Sequence, residues 1–174
     1  TMVENLLSVT RIQDERGVAT VIKTEESLEE VISSAVGRFR KRFPEVQVQV
    51  CIPESFIMVP MDATLIEQVI NNLLENAYFH SGSHGPIDLQ ASVDGPYVSI
   101  TIRDQGNGIR PELLGTLFDG GGFSDNQTGD SHKGMGIGLT LCKTIINAHG
   151  GHIEASNYDK GALFTFTLPD WREY

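Results

Sequence analysis

The stretch Gly134-Met135-Gly136-Ile137-Gly138-Leu139, GMGIGL, decides among the nucleotide-binding folds open to this chain. Alternating glycines ahead of an apolar helical run let a backbone come close to a ligand, commonly a phosphate. A dinucleotide fingerprint needs GxGxxG directly after a strand, with an acidic residue about 20 positions on. Here Leu139 stands where the third glycine belongs, Gly138 comes one residue early, and a polar segment precedes the stretch. No GxxxxGK[ST] phosphate loop occurs, and the VAIK, HRD and DFG companions of a protein-kinase glycine loop are missing. Two readings stay open for the stretch alone: a phosphate-binding entry to a helix, or a glycine-rich turn with no ligand.

The 174 residues are 40% hydrophobic, enough for one well-packed domain. A formal net charge of −10 argues against nucleic acid as a partner. An anion would have to be held by backbone amides and a few lysines. Cys51 and Cys142 form no CxxC pair, which points to a reducing compartment and away from a disulfide framework or zinc site. No apolar run approaches the ~18 residues of a membrane span. The opening at Thr1-Met2 reads as the middle of a helix, so the chain is expected to be cut from a longer protein.

Outward from the glycines, residues 2–13 read as a short amphipathic helix and 18–24 as a strand. A helix is predicted from Glu25 to Arg42, with the basic RFRKRF end suited to a helix C-terminus. Strands follow at 46–52 and near Phe56–Val59. Asp62 caps the helix ATLIEQVINNLLENAYFH, and strands occupy about 86–93 and 97–103. From Asp104 to Lys133 periodicity is lost, as in a lid. A helix from about Gly138 to His149 ends at Gly150-Gly151, and HIEASN and ALFTFTL close the chain as strands. This order predicts an α+β fold, a two-layer α/β sandwich with a mixed, mostly antiparallel sheet covered on one face by helices.

On the helix after Asp62, Leu65, Ile66, Val69, Ile70, Leu73, Leu74 and Ala77 form one apolar stripe. Asn72 and Asn76 sit one turn apart at its edge, and His80 extends the row. An asparagine oxygen there could ligate Mg²⁺, or the amides could be incidental to the helix. In YVSITIRD, Asp104 continues the phase of Val98, Ile100 and Ile102 and should point inward. A buried carboxylate needs a donor, such as the amino group of adenine, unless it caps its own turn. Gly106 and Gly108 let the backbone turn beside a flat ligand.

Together, NLLENA (72–77), DQGNGI (104–109) and GMGIGLTLCKTIINAHGG (134–151) resemble the N, G1 and G2 boxes of the ATP-binding catalytic domain of bacterial sensor histidine kinases. That is the fold shared with the gyrase, Hsp90 and MutL ATPases. The opening MVENLLSVTRIQ resembles the end of the dimerisation helix that precedes this domain, and its wording, with AHGGHIEASN later, leans towards the potassium-responsive, KdpD-type sensor kinases. The resemblance covers about 20–169 and divides the chain into the end of a dimerisation helix and linker (1–16) and an ATP-binding domain (17–174). It implies Asn76 as the Mg²⁺ ligand and Asn72 as the residue orienting the triphosphate for catalysis. It implies Asp104 on the adenine amino group, with Gly106, Gly108 and Ile109 shaping that end, and His80 in the family's Tyr/His position on the Asn72–Asn76 row. Lys133, Gly134, Met135, Gly136, Ile137, Gly138, Leu139 and Thr140 would close on the phosphates, with Phe118 and Phe123 in the lid. The family's usual lysine, three residues after the second asparagine, is Phe79 here, so Lys133 or Lys143 is expected to substitute.

The hydrolytic relatives carry a glutamate at the position of Asn72, and an amide cannot serve as a base. The resemblance therefore implies transfer of the ATP γ-phosphoryl group to a protein histidine. A GHKL-type ATPase and a nucleotide-binding domain without catalysis are the alternatives. No histidine of the chain stands in the family's acceptor pattern, so the acceptor would lie on the parent's own dimerisation domain. The parent is then expected to be a homodimeric inner-membrane sensor with this domain in the cytoplasm and a response regulator as partner.

Overall fold

The computed structural model describes residues 21–53, 57–80, 86–106, 108–110, 114, 117–118, 130–158 and 161–170, with backbone alone at 80, 130–138 and 158. The first 16 residues, assigned by resemblance to a dimerisation helix, lie outside the described residues, as do most of the expected lid and Phe123. Strand β1 (Thr24–Ser27) leads into helix α1 (Leu28–Arg42). The strand therefore lies later than the predicted 18–24, and the helix starts after Ser27 rather than at Glu25. Glu25 and Glu26 are taken up opposite Pro60 and Val59 of β3 (Met58–Met61), and the Ser27 side chain accepts from the Glu30 N–H at 3.3 Å as an N-cap. The basic end of α1 behaves as a helix terminus. Arg40 donates to the Val48 carbonyl at 2.7 Å, and Arg42 meets Glu75 at 2.6 Å.

The remaining elements are β2 (Val48–Cys51), α2 (Ala63–His80), β4 (Ile87–Asp94), β5 (Tyr97–Arg103), α3 (Asp130–Ala148), β6 (His152–Tyr158) and β7 (Gly161–Pro169). Five strands form one sheet in the order β2-β4-β5-β7-β6. β2 runs parallel to β4 and every other pair is antiparallel, while β1 and β3 make a separate ribbon. The strict alternation at 46–52 yields only a four-residue edge strand in which Val48 alone is buried. An outermost strand has a neighbour on one side only, so Val50 stays 38% exposed.

Alternation does set the core elsewhere. Val98, Ile100 and Ile102 of β5 and Ala162, Phe164, Phe166 and Leu168 of β7 are buried, while Ser99, Thr101, Thr165 and Thr167 on the other face are half-buried. The α2 stripe from Leu65 to Ala77 is fully buried over that apolar face, flanked by α1 and α3. Each leucine, isoleucine or valine of the stripe contributes about 1.5–3 kcal/mol on leaving water. The result is the predicted two-layer sandwich.

Helix α3 departs from the sequence reading. It begins at Asp130, eight residues before the expected start, so Gly134, Gly136 and Gly138 lie within its backbone and not at a loop-to-helix junction. A glycine costs a helix only about 1 kcal/mol relative to alanine. The packing of Leu139, Leu141, Cys142, Ile145 and Ile146, all buried, anchors the helix beyond them. The far end is as read: Gly150 takes φ 82° and terminates the helix.

Candidate nucleotide site

Three strands build the first half of the site. Asp104 leaves β5 in phase with Ile102 and is only 2% exposed. Its Oδ1 accepts the Gly106 N–H at 2.9 Å and the Ala162 N–H at 3.1 Å, and its own N–H donates to the Ala162 carbonyl at 3.1 Å. Burial pushes the Asp104 carboxyl above the usual carboxylate range, and the two backbone donors oppose that shift. Such a group, held by the main chain in an apolar wall, is suited to accept from an exocyclic amino group. Of the two glycines that follow, Gly108 takes the left-handed φ of 79°, while Gly106 serves Asp104 through its N–H. Ile109 packs partly against the core.

Helices build the second half. Asp62, whose side chain caps α2 by accepting from the Leu65 N–H, donates its own N–H to His149 Nε2 at 3.0 Å at the far end of α3. Further along, the Cys142 thiol donates to the Val69 carbonyl at 3.8 Å. The two helices are thus antiparallel, and this register brings Asn76 level with the Gly134–Gly138 stretch of α3. Asn72 is 8% exposed and accepts from Gln68 Nε2 at 3.3 Å. It also hydrogen-bonds the Cys142 thiol, whose pKa burial pushes up to about 12. Asn76 is 3% exposed, and its Oδ1 is buried with no hydrogen-bond partner among the described residues. Leaving such an oxygen unmet costs about 1–3 kcal/mol. A hard, neutral oxygen is a donor type that Mg²⁺ accepts, so the residue fits that metal.

The other predicted positions divide. Leu139 is buried in the core and Thr140 is half-buried on α3. Phe118 sets its edge against Phe164 at 6.4 Å between centroids, anchored on the sheet. The side chains of His80, Lys133, Met135 and Ile137 lie outside the described residues. Phe79, in place of the family lysine, is 49% exposed and stands edge-on to Phe43 at 5.8 Å. With Tyr78 and Phe39 it ties the ends of α1 and α2 together, a packing role with no charge. Glu75, the acidic neighbour of Asn76, is engaged by Arg42.

Residues 61–172 match the family of histidine kinase-, DNA gyrase B- and HSP90-like ATPases. The chain belongs to this family. Over 97% of its length it is 41% identical to the sensor protein KdpD of Clostridium acetobutylicum and 34% identical to that of Escherichia coli, spanning 19% and 18% of those proteins. Its fold superposes on the catalytic domain of histidine kinase ThkA with a TM-score of 0.72 at 27% identity, covering 85% of this chain and 95% of that domain. ThkA in complex with the response regulator TrrA gives 0.72 and 27% over 98% of this chain and 46% of that one. The chain is therefore the ATP-binding catalytic domain of a sensor histidine kinase. No helix among its described residues is long and apolar enough to cross a membrane.

Sequence reasoning missed three residues of this histidine kinase domain. Gly161 must be glycine because a Cβ there would lie 2.0 Å from the Asp104 carbonyl oxygen. Asn157 pairs with Ile109, accepting its N–H and donating to its carbonyl, both at 2.7 Å. His149 is 1% exposed, and its Nδ1 donates to the Ile145 carbonyl at 2.8 Å, which leaves Nε2 free to accept from Asp62. NYDKG at 157–161 reads as an ordinary turn, and no local signal ties it to residues 48 or more positions away. His149 sits in the AHGG helix end, where nothing local separates a core histidine from a site one.

Proposed function

We propose that this domain transfers the γ-phosphoryl group of ATP to a histidine imidazole on its parent's dimerisation domain, and that the parent works as a homodimer and passes the group to a response regulator. The base would be held by Asp104 through the exocyclic amino group, with Gly106, Gly108 and Ile109 against its plane. Asn76, with Asn72 beside it, would hold Mg²⁺, which when bound neutralises charge on the phosphate oxygens. In the reaction an imidazole nitrogen bonds to the γ-phosphorus as the bond to the β,γ-bridging oxygen breaks. ADP leaves, and the second ring N–H gives its proton to water.

The observation that carries transfer over hydrolysis is the state of the two candidate bases. Asn72 is a buried amide fixed by Gln68, and Glu75 is paired to Arg42. An amide cannot deprotonate water, and the Glu75 carboxylate is directed at Arg42 of α1, whereas an imidazole brings its own lone pair. The likeness to ThkA, solved with TrrA, supports the response-regulator partner. The KdpD likeness supports a membrane sensor as parent, with this domain on the cytoplasmic side.

The full-length parent, given γ-labelled ATP and Mg²⁺, should acquire label that is acid-labile and alkali-stable, as phosphohistidine is. Asn76→Ala in that parent should lose it. Steady release of free phosphate by this domain alone, with no protein labelling in the parent, would replace the kinase reading with a hydrolase.

A further inference from the structure

The turn that carries the base end is held at both of its ends by one hairpin, the junction of β6 and β7. At its start, the Ala162 carbonyl accepts the Asp104 N–H, and the Ala162 N–H donates to the Asp104 carboxylate. At its end, Asn157 closes a two-bond ring with the N–H and carbonyl of Ile109, both bonds at 2.7 Å. Between them Gly108 bends with φ 79°, and a Cβ there would stand 2.7 Å from Asn157 Oδ1, so the amide packs directly on the turn. Gly161 lets the same hairpin come against the Asp104 backbone. Asn157 is exposed and belongs to no hydrophobic cluster, so burial gives it no other task. A side-chain amide that accepts from the N–H and donates to the C=O of one residue fixes the two peptides flanking that residue in position and orientation, as a strand neighbour would.

We propose that Asn157 is a positioning residue for the nucleotide base: it fixes Gly108 and Ile109 relative to Asp104, so that the base finds its contacts already formed. This rests on the ATP-binding reading above. The role concerns the base end, because the partner of Asn157 is Ile109, whereas Asn72 and Asn76 stand on α2. Pre-organisation shows as affinity, since a turn that must be ordered on binding subtracts from the contact free energy.

Two measurements on wild type and Asn157→Ala test it. Hydrogen exchange at the Ile109 amide should accelerate about tenfold or more, with the Phe164 amide unchanged as the check on the fold. The Kd for ATP should rise about three- to tenfold, as expected when one or two net hydrogen bonds stop holding a site ready. The ratio of Kd with Mg²⁺ to Kd without it should stay as in the wild type, which a general loosening of the domain would not preserve. If Asn157→Ala loses protection at Phe164, Asn157→Asp carries the test. It keeps the acceptor for the Ile109 N–H but faces the Ile109 carbonyl with a second acceptor, and should again weaken ATP at an unchanged Mg²⁺ ratio. An unchanged Kd, an unchanged Ile109 exchange rate or an altered Mg²⁺ ratio would each overturn the role of Asn157. A wild-type domain that binds no ATP would instead overturn the reading on which it rests.

Discussion

The two halves of the site are built on opposite principles. The base end is assembled by the sheet, where Asp104, Gly106, Ile109, Asn157 and Ala162 satisfy one another through short hydrogen bonds. The end proposed for the metal is assembled by two helices and contains a buried oxygen, Asn76 Oδ1, with no partner among the described residues. A satisfied polar cluster is rigid and holds its shape before a ligand arrives; an unsatisfied oxygen is a cost that a cation relieves. Selectivity for the base should therefore reside in the sheet, and the response to Mg²⁺ in α2.

The largest expected effect breaks the base end. Asp104→Asn keeps an oxygen for the Gly106 and Ala162 donors but removes the charge, and should weaken ATP about 100-fold, the scale of a lost charge-assisted hydrogen bond. Calorimetry reads it directly. Because burial raises the folded pKa of Asp104, its contribution to stability is full at acid pH and is lost as pH rises through that pKa. At pH 7 the variant should thus be at least as stable as the wild type. ATP binding to the wild type should also weaken as pH falls through the same raised pKa.

Gly161→Ala comes next. Its new methyl group would meet backbone at 2.0 Å, which no side-chain rotation relieves. A loss of about 2–3 kcal/mol in urea unfolding is expected, the upper range of overpacking, together with weaker nucleotide binding. Wild-type stability in both assays would show that the hairpin does not press on Asp104.

How much of this was legible beforehand depended on range. The inward phase of Asp104 is legible because β alternation carries it one residue past the strand, and the buried edge placement of Asn72 and Asn76 because a helix stripe has an edge. Both signals are local and periodic. Asn157 and Gly161 act across the sheet on residues 104–109, and no period links them to that segment. The start of α3 is not legible because glycine signals a break in isolation, whereas the buried residues after Gly138 hold the helix together regardless. In sequence Phe79 reads only as a missing cation; its packing on Phe43, a residue 36 positions earlier, emerges in the fold.

Smaller effects sharpen the helical half. His149 joins the end of α3 to the start of α2, and burial lowers its pKa below 6.5, with the charge of Lys23 acting in the same direction. The unfolded chain then binds the proton more readily, so stability is full above about pH 6.5 and declines as pH falls towards the folded pKa. Urea melts at pH 7.5 and 5.5 should show that decline in the wild type and a shallower one in His149→Gln. Equal slopes would remove His149 as its source. Phe79→Lys, at a half-exposed position, should tighten ATP by a few-fold, about the 0.3–1 kcal/mol of one exposed charge, and the gain should fade in high salt. No gain at low salt would place Phe79 outside the reach of the phosphates.

The division of labour between sheet and helix is tested most directly by titrating wild type, Asp104→Asn and Asn76→Ala with ATP, each with and without Mg²⁺. Asp104→Asn should lose affinity by the same factor in both conditions, while Asn76→Ala should lose it only when Mg²⁺ is present. Equal losses for both variants in both conditions, or a wild-type domain that binds ATP no better with Mg²⁺ than without, would contradict the assignment of the metal to Asn76.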